Sequence, residues 1–226
     1  INSFFFFLKP KELTNDEIEK IINDFVFAIK RVKQAGFDGV QLHIAHGFLL
    51  SAFVSPFLNK RTDKWGGNEE NRFRIIKEIL VKAKQENKDF PILAKINCFE
   101  KNKKGIKLND AIKIAKMLEQ NGCDGIEVSC GTILDGFSST RGGIPIDGIL
   151  KYLSPVKDYT TIVKKIMKPF MKIFMKSETP IFLYNVNSAA EIKKNVNIPV
   201  IVVGGIRKIS EIEDIILNKK ADFVSM

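Results

Sequence analysis

Two histidines, His43 and His46, are the only ones in this 226-residue chain, and they stand three residues apart. Val40-Gln41-Leu42-His43 reads as a strand. His43 therefore sits at its carboxyl end, with His46 just beyond. Three chemistries suit such a pair. The first is a pair of N–H donors that hold an oxyanion or a carbonyl oxygen. The second is two satisfied rings in a turn. Metal ligation comes last, because no third ligand stands at a matching spacing. No metal site is assigned.

Two further places carry chemistry. Lys95 lies in an expected strand over residues 92–97, on the same face as Leu93 and Asn97 by period-two alternation. A buried ammonium needs a partner. Glu127 on the next strand offers one across the ladder. A cation beside an electron-rich cofactor or substrate is the other use, and the two can coexist. Gly204-Gly205 follows the fourth expected strand. It is either a strand-ending turn or a place where backbone N–H groups approach a phosphate.

The elements that must position these residues alternate. Residues 14–34 read as a helix, with Thr14 and Glu17 as a capping box. Ile18, Ile21, Ile22, Phe25, Ile29 and Val32 then recur at helical spacing. A long polar loop is expected after His43, then a helix capped by Asn68, and a third helix opened by Asn109. The turns Gly36-Phe37-Asp38-Gly39 and Gly122-Cys123-Asp124-Gly125 match, and each feeds a strand. A short helix over residues 188–195 precedes the strand at residues 200–203. Ser210 is expected to cap a further helix before a last strand at residues 223–226. An insertion is expected over residues 131–180, with a basic helix near residues 159–176.

This rhythm is that of βα units with a parallel sheet, either a (β/α)8 barrel or a doubly wound sheet. Polar residues gathered at strand carboxyl ends favour the barrel, whose active sites form there.

Composition narrows the function classes. Thirty-six Lys+Arg against 26 Asp+Glu give a formal net charge of +10. The lysines are spread over the expected helices without an aromatic-basic recognition motif, so they read as solvated surface and not as a nucleic-acid site. Three scattered cysteines, Cys98, Cys123 and Cys130, suit a reducing compartment, here the cytoplasm. The apolar run at residues 4–8 is short and lacks the basic leader and cleavage site of a signal peptide, and the uncharged stretch at residues 40–59 carries too many polar residues for a membrane span. The chain starts at Ile1 and stops on a strand at Met226, which reads as a piece of a longer protein.

One ordered series of motifs carries a family resemblance. His43-Ile44-Ala45-His46-Gly47-Phe48-Leu49-Leu50 is followed by Phe53-Val54-Ser55-Pro56. Asn59-Lys60-Arg61-Thr62-Asp63-Lys64-Trp65-Gly66-Gly67 and Glu70-Asn71-Arg72 come next. Together they resemble the signature of the old yellow enzyme family, FMN-dependent NAD(P)H oxidoreductases on a (β/α)8 barrel. Residues 122–131 and 198–207 agree with it.

The resemblance implies hydride transfer from NADH or NADPH through FMN to an activated alkene such as an α,β-unsaturated carbonyl. It implies that His43 and His46 hold the carbonyl oxygen, that Lys95 lies near flavin N1 and O2, and that Gly204 and Gly205 contact the FMN phosphate. Arg61, Asp63 and Arg72 are implied to pin the long loop. The implied partner is a small-molecule substrate; the spread lysines and the want of a spanning segment add the expectation of neither nucleic acid nor membrane, and the oligomeric state is left open. Phe48 stands where the family often has a proton-donating Tyr, and Gln41 where Glu is common. About five of eight βα units are accounted for, so an incomplete barrel is expected. A non-catalytic barrel fragment and an RNA-modifying flavin barrel are the alternatives.

Overall fold

The computed structural model describes residues 11–132, 145–154, 156–174 and 181–226. Helices and strands alternate along them. They are α1 (Asn15–Gln34), β1 (Val40–Ile44), α2 (Leu49–Val54), α3 (Glu69–Glu86), β2 (Ile92–Asn97), α4 (Leu108–Gln120) and β3 (Gly125–Ser129). After these come α5 (Ile146–Tyr152), α6 (Thr161–Phe174), α7 (Val186–Lys193), β4 (Val200–Val203), α8 (Ile209–Leu217) and β5 (Phe223–Ser225).

Local signals start the helices. At α1 the Glu17 N–H donates to the Thr14 hydroxyl at 3.2 Å, and the Thr14 N–H donates to the Glu17 carboxylate at 2.7 Å. Two N–H groups left over by the first turn are thereby satisfied. Asn68 accepts the Asn71 N–H at 2.8 Å and opens α3. Two expected caps move. α4 starts one residue before Asn109, because the Asp110 carboxylate takes the Lys107 N–H at 2.8 Å. α8 starts before Ser210, because Glu211 reaches back to the N–H groups of Arg207 and Lys208. In each helix an acid in the first turn replaces the expected cap, Asn109 in one and Ser210 in the other.

The sheet is parallel throughout, in the order β1-β2-β3-β4-β5. A doubly wound sheet reverses its order at a switch point. This one never does, so same-handed crossovers put their helices on one face, as in a barrel wall. Burial agrees. Leu42, Ile44, Ile92, Ala94, Ile96, Ile126, Val128, Val200 and Val202 lie in the helix-covered core. The opposite face carries Gln41, His43, Leu93 and Lys95, none of them fully buried.

One clamp occurs twice and sets the register. Asp124, just before β3, accepts the Ile92 N–H that opens β2 at 2.7 Å and pairs with Lys84 of α3 at 2.6 Å. Asp222, just before β5, accepts the Val200 N–H that opens β4 at 2.9 Å and pairs with Lys193 of α7. The acid ties each new strand to the start of the previous one. A one-residue slip would cost that bond and flip every side chain to the other face.

The loop after β1 differs from the expectation. It holds a short helix, α2, whose cap residue Phe48 makes no side-chain bond. Leu50, Phe53 and Val54 are buried beneath it. Of the expected insertion, α5, a 3-10 turn at Val156–Asp158 and α6 are described. Residues 4–8, 133–144 and 175–180 lie outside the described residues.

Candidate active site

β1, β2 and β3 bring the polar residues of their uncovered face into one row. His43 pairs in register with Lys95, and Lys95 with Glu127. The Lys95 ammonium lies 3.2 Å from Glu127 Oε1 but off the hydrogen-bond line, so that attraction is coulombic. Gln41 Nε2 donates to the other carboxylate oxygen at 2.7 Å. The expected cross-ladder partner of Lys95 is therefore present. With its side chain 22% exposed, Lys95 also keeps a path to a ligand on the open face.

His46 stands past the strand end and is held at three points. Its backbone is left-handed, with φ of 65°, and Gly47 follows at 81°. A non-glycine residue is uncommon there and needs support from its surroundings. The support is Asn97 of β2, fully buried, whose Oδ1 accepts the His46 N–H at 3.2 Å. Ser129 at the end of β3 fixes the ring, with Oγ 2.8 Å from Nε2. Thr132 bridges to the His46 backbone. The result places the two imidazoles side by side, with ring centroids 5.0 Å apart. Phe48 also lies 5.0 Å from His43, with the two rings tilted.

Behind Asn97 is a buried acid. Its amide points toward Glu100 Oε1 at 3.4 Å. Glu100 Oε2 accepts from the Ser55 hydroxyl at 2.7 Å and the Ile106 N–H at 3.2 Å. The loops after β1 and β2 thus share one carboxylate, which fixes the height at which His46 is presented.

Electrostatics make both rings neutral at pH 7. Burial lowers the pKa of His46 from 6.5 to about 4, and the neighbouring His43 and Lys95 charges push the same way against Glu127. His43 is lowered too, first by burial and then by Lys95. The sign for stability follows. Between pH 6.5 and about 4 the unfolded chain takes up a proton on His46 that the folded chain refuses. Stability present above that window should fall as pH drops through it. Urea unfolding at about pH 7 and about pH 5 checks this. Replacing His46 with Asn should flatten the pH slope, and an unchanged slope would refute the burial argument.

Gly204 and Gly205 end β4 at the same edge of the sheet. Both have positive φ, 131° and 69°. A Cβ on Gly204 would lie 2.6 Å from the Tyr184 ring, and one on Gly205 2.6 Å from the Ile181 carbonyl. The segment before α7 packs directly on this turn. Asn185 secures it, donating to the Val203 carbonyl at 2.6 Å and accepting from the Cys98 thiol at 3.5 Å. Among the described residues, the N–H groups of Gly204, Gly205 and Ile206 have no hydrogen-bond acceptor. His43, His46 and Lys95 form one cluster, and the glycine turn is a separate feature two strands along.

Asn97 was visible in the alternation, but Ser129, Glu100 and Asn185 carry no motif of their own. A signal existed for Ser129. Four residues on from the last glycine of each repeated turn stand His43 and Ser129.

The loop motif is structural, as implied. Arg61 grips Asp63 through two bonds of 3.0 and 2.6 Å and reaches the Leu13 carbonyl at 2.8 Å. Arg72 holds the Gly67 carbonyl at 2.9 Å. Among the described residues, no group of three or more His, Cys, Asp or Glu could hold a metal ion. None of the described helices is long and apolar enough to cross a membrane. Cys98, Cys123 and Cys130 are buried thiols outside any disulfide.

Known proteins resemble this chain in sequence and in fold. The chain is 37% identical over 219 residues to an NADH oxidase of Thermoanaerobacter brockii, covering 96% of this chain and 28% of that protein. It is 35% identical over 153 residues to an NADPH dehydrogenase of Bacillus cytotoxicus, covering 68% of this chain and 43% of that one. The chain thus spans less than half the length of these curated relatives. Two solved structures share the fold. A 2-naphthoyl-CoA reductase in complex with 2-naphthoyl-CoA matches at TM-score 0.75 and 24% identity, over 99% of this chain and 29% of that one. Morphinone reductase in complex with tetrahydroNAD matches at 0.63 and 19%, over 96% of this chain and 47% of that one. The five-stranded wall is thereby part of a TIM-barrel fold. A sequence profile matching residues 4–143 takes in both histidines, the pinned loop behind them and Lys95, and the chain accordingly belongs to the NADH:flavin oxidoreductase / NADH oxidase family.

Proposed function

We propose that the protein passes hydride from NADH or NADPH, through FMN, to an activated alkene such as an α,β-unsaturated carbonyl. The observation that carries this reading is the pair of imidazoles 5.0 Å apart beside the Lys95 ammonium, where burial favours the neutral form of both rings. A neutral imidazole donates one N–H without bringing a full charge, and so can bind a carbonyl oxygen on which negative charge grows.

The residues present fit FMN at two places. The unpartnered N–H groups of Gly204, Gly205 and Ile206 suit its phosphate, since positive φ at successive residues turns such groups toward an anion. Lys95 suits an electron-rich ring, its charge only partly answered by Glu127. FMN, when bound, would supply the hydride carrier between nicotinamide and substrate. His43 and His46 would orient the substrate carbonyl. For Nδ1 of His46 to be the donor, Ser129 must give its O–H to Nε2, an arrangement that their 2.8 Å separation permits.

The test is spectroscopic. The purified protein, supplied with FMN, should show bound-flavin absorption that NADH or NADPH bleaches without oxygen. A cyclic enone should then restore the colour. Failure to bind FMN overturns the whole reading. A colour restored by oxygen but by no enone overturns the alkene half.

Phe48 yields a separate prediction. Its ring lies against His43 and is 50% exposed, so a hydroxyl on it would reach the open face. Phe48→Tyr should speed flavin reoxidation by an enone by about tenfold, short of the roughly 10²–10⁴-fold of a fully positioned general acid. Flavin reduction by nicotinamide should change little. Stopped-flow traces of the two half-reactions separate these effects, and equal changes in both would contradict a proton-donor gap at Phe48.

A further inference from the structure

α6 turns its apolar side to solvent. Ile162, Ile166 and Phe170, spaced four residues apart, are 72%, 58% and 58% exposed. Tyr152 of α5 and Tyr159, just before α6, are exposed as well. The other side of the helix faces inward. There Lys168 pairs with Asp147 of α5 at 2.5 Å, and Lys164 donates to the Lys157 carbonyl at 2.5 Å. An amphipathic helix of a globular protein ordinarily buries its apolar stripe. This one holds the stripe outward, anchored by its basic side.

Charge decides which partner fits. Residues 145–174 contain six lysines and two aspartates. Lys165 and Lys172 are exposed along one flank of the stripe. A second copy of the same surface would bring like charges together, so self-association through this face is disfavoured. The shape is a ridge of projecting side chains with lysines along one flank, and exposed tyrosines occur in the same segment. That combination matches a helix lying in a lipid interface, where apolar side chains enter the acyl boundary and amphipathic rings and lysines sit at headgroup level.

We propose that the outward face of α6 docks the protein on an anionic membrane surface, with Ile162, Ile166 and Phe170 inserted and Lys165 and Lys172 on the lipid phosphates. This revises the expectation of no membrane partner, which rested on the want of a spanning segment. It is independent of the flavin reading, and its test needs no activity.

The test is co-sedimentation of the purified protein with vesicles of phosphatidylcholine alone or mixed with phosphatidylserine. Binding is expected to the mixed vesicles, and to weaken strongly at about 0.5 M salt. Ile166→Glu and Phe170→Glu should each lower partitioning about tenfold or more, as should the pair Lys165→Glu and Lys172→Glu. All four positions are exposed, so thermal melts should stay unchanged and confirm folding. Failure to sediment with the mixed vesicles overturns the proposal. So does equal binding to both vesicle types, or variants that bind like the parent. A concentration-dependent dimer abolished by Ile166→Glu, without vesicle binding, would assign the face to a second copy instead.

Discussion

Replacing His46 with Ala should lower turnover with an enone by about 10²–10³-fold, the loss that follows removal of one donor from an oxyanion-type site. The reason is the care with which the ring is held. Asn97 fixes the backbone, Ser129 fixes the ring, and Glu100 fixes Asn97 from behind. A turn residue of no functional weight would not need a left-handed backbone supported by a fully buried amide. Alanine at this φ adds backbone strain of its own, so a second variant is needed. Asn tolerates the left-handed region and carries an N–H donor. His46→Asn should therefore lose much less than His46→Ala, while both retain FMN. Steady-state rates at saturating NADPH or NADH, with flavin content measured on the same samples, give the comparison. A fall of less than about tenfold in the alanine variant would remove the imidazole from carbonyl binding.

Much of the positioning frame was legible because it is local. The Thr14–Glu17 cap, the Asn68 cap and the repeated turns before β1 and β3 each depend on residues a few positions apart. What escaped is held by partners far along the chain. Gln41 meets Glu127 across 86 residues, and His46 meets Ser129 across 83. Such pairs exist only once the register of three strands is set, and register comes from Asp124 and the buried alternation together. α2 escaped for another reason. Six residues without a capping side chain give no start signal, and the buried faces of Leu50 and Phe53 hold it instead. α6 was legible as a basic helix, but periodicity shows only that two faces differ. Which face turns outward is decided by the Asp147–Lys168 pair and the packing on α5.

Trp65→Ala should destabilise the fold by about 3–5 kcal/mol, the usual loss on emptying a buried aromatic site. Trp65 is fully buried, although it lies in the long loop between α2 and α3. Its indole N–H donates to Asn15 Oδ1 at 2.8 Å, tying that loop to the first residue of α1. Its carbonyl accepts from the Asn59 amide at 2.8 Å, and its N–H donates to Asp63 at 3.1 Å. Truncation leaves a cavity and strands the Asn15 acceptor, so two losses add. Phe at this position fills most of the cavity and loses only the hydrogen bond, about 1 kcal/mol. For a chain of this length the alanine variant should melt roughly 6–20 °C lower and the phenylalanine variant roughly 2–4 °C lower. The loop also reaches back to α2, three residues beyond His46, through the Asn59 amide, which donates to the Phe53 carbonyl at 2.8 Å. Loosening it should therefore raise the KM for an enone before the protein melts. If Trp65→Ala melts within a few degrees of the parent, the loop is not the brace that its bonds imply, and α2 must hold the histidine turn through Ser51 and Ser55 alone.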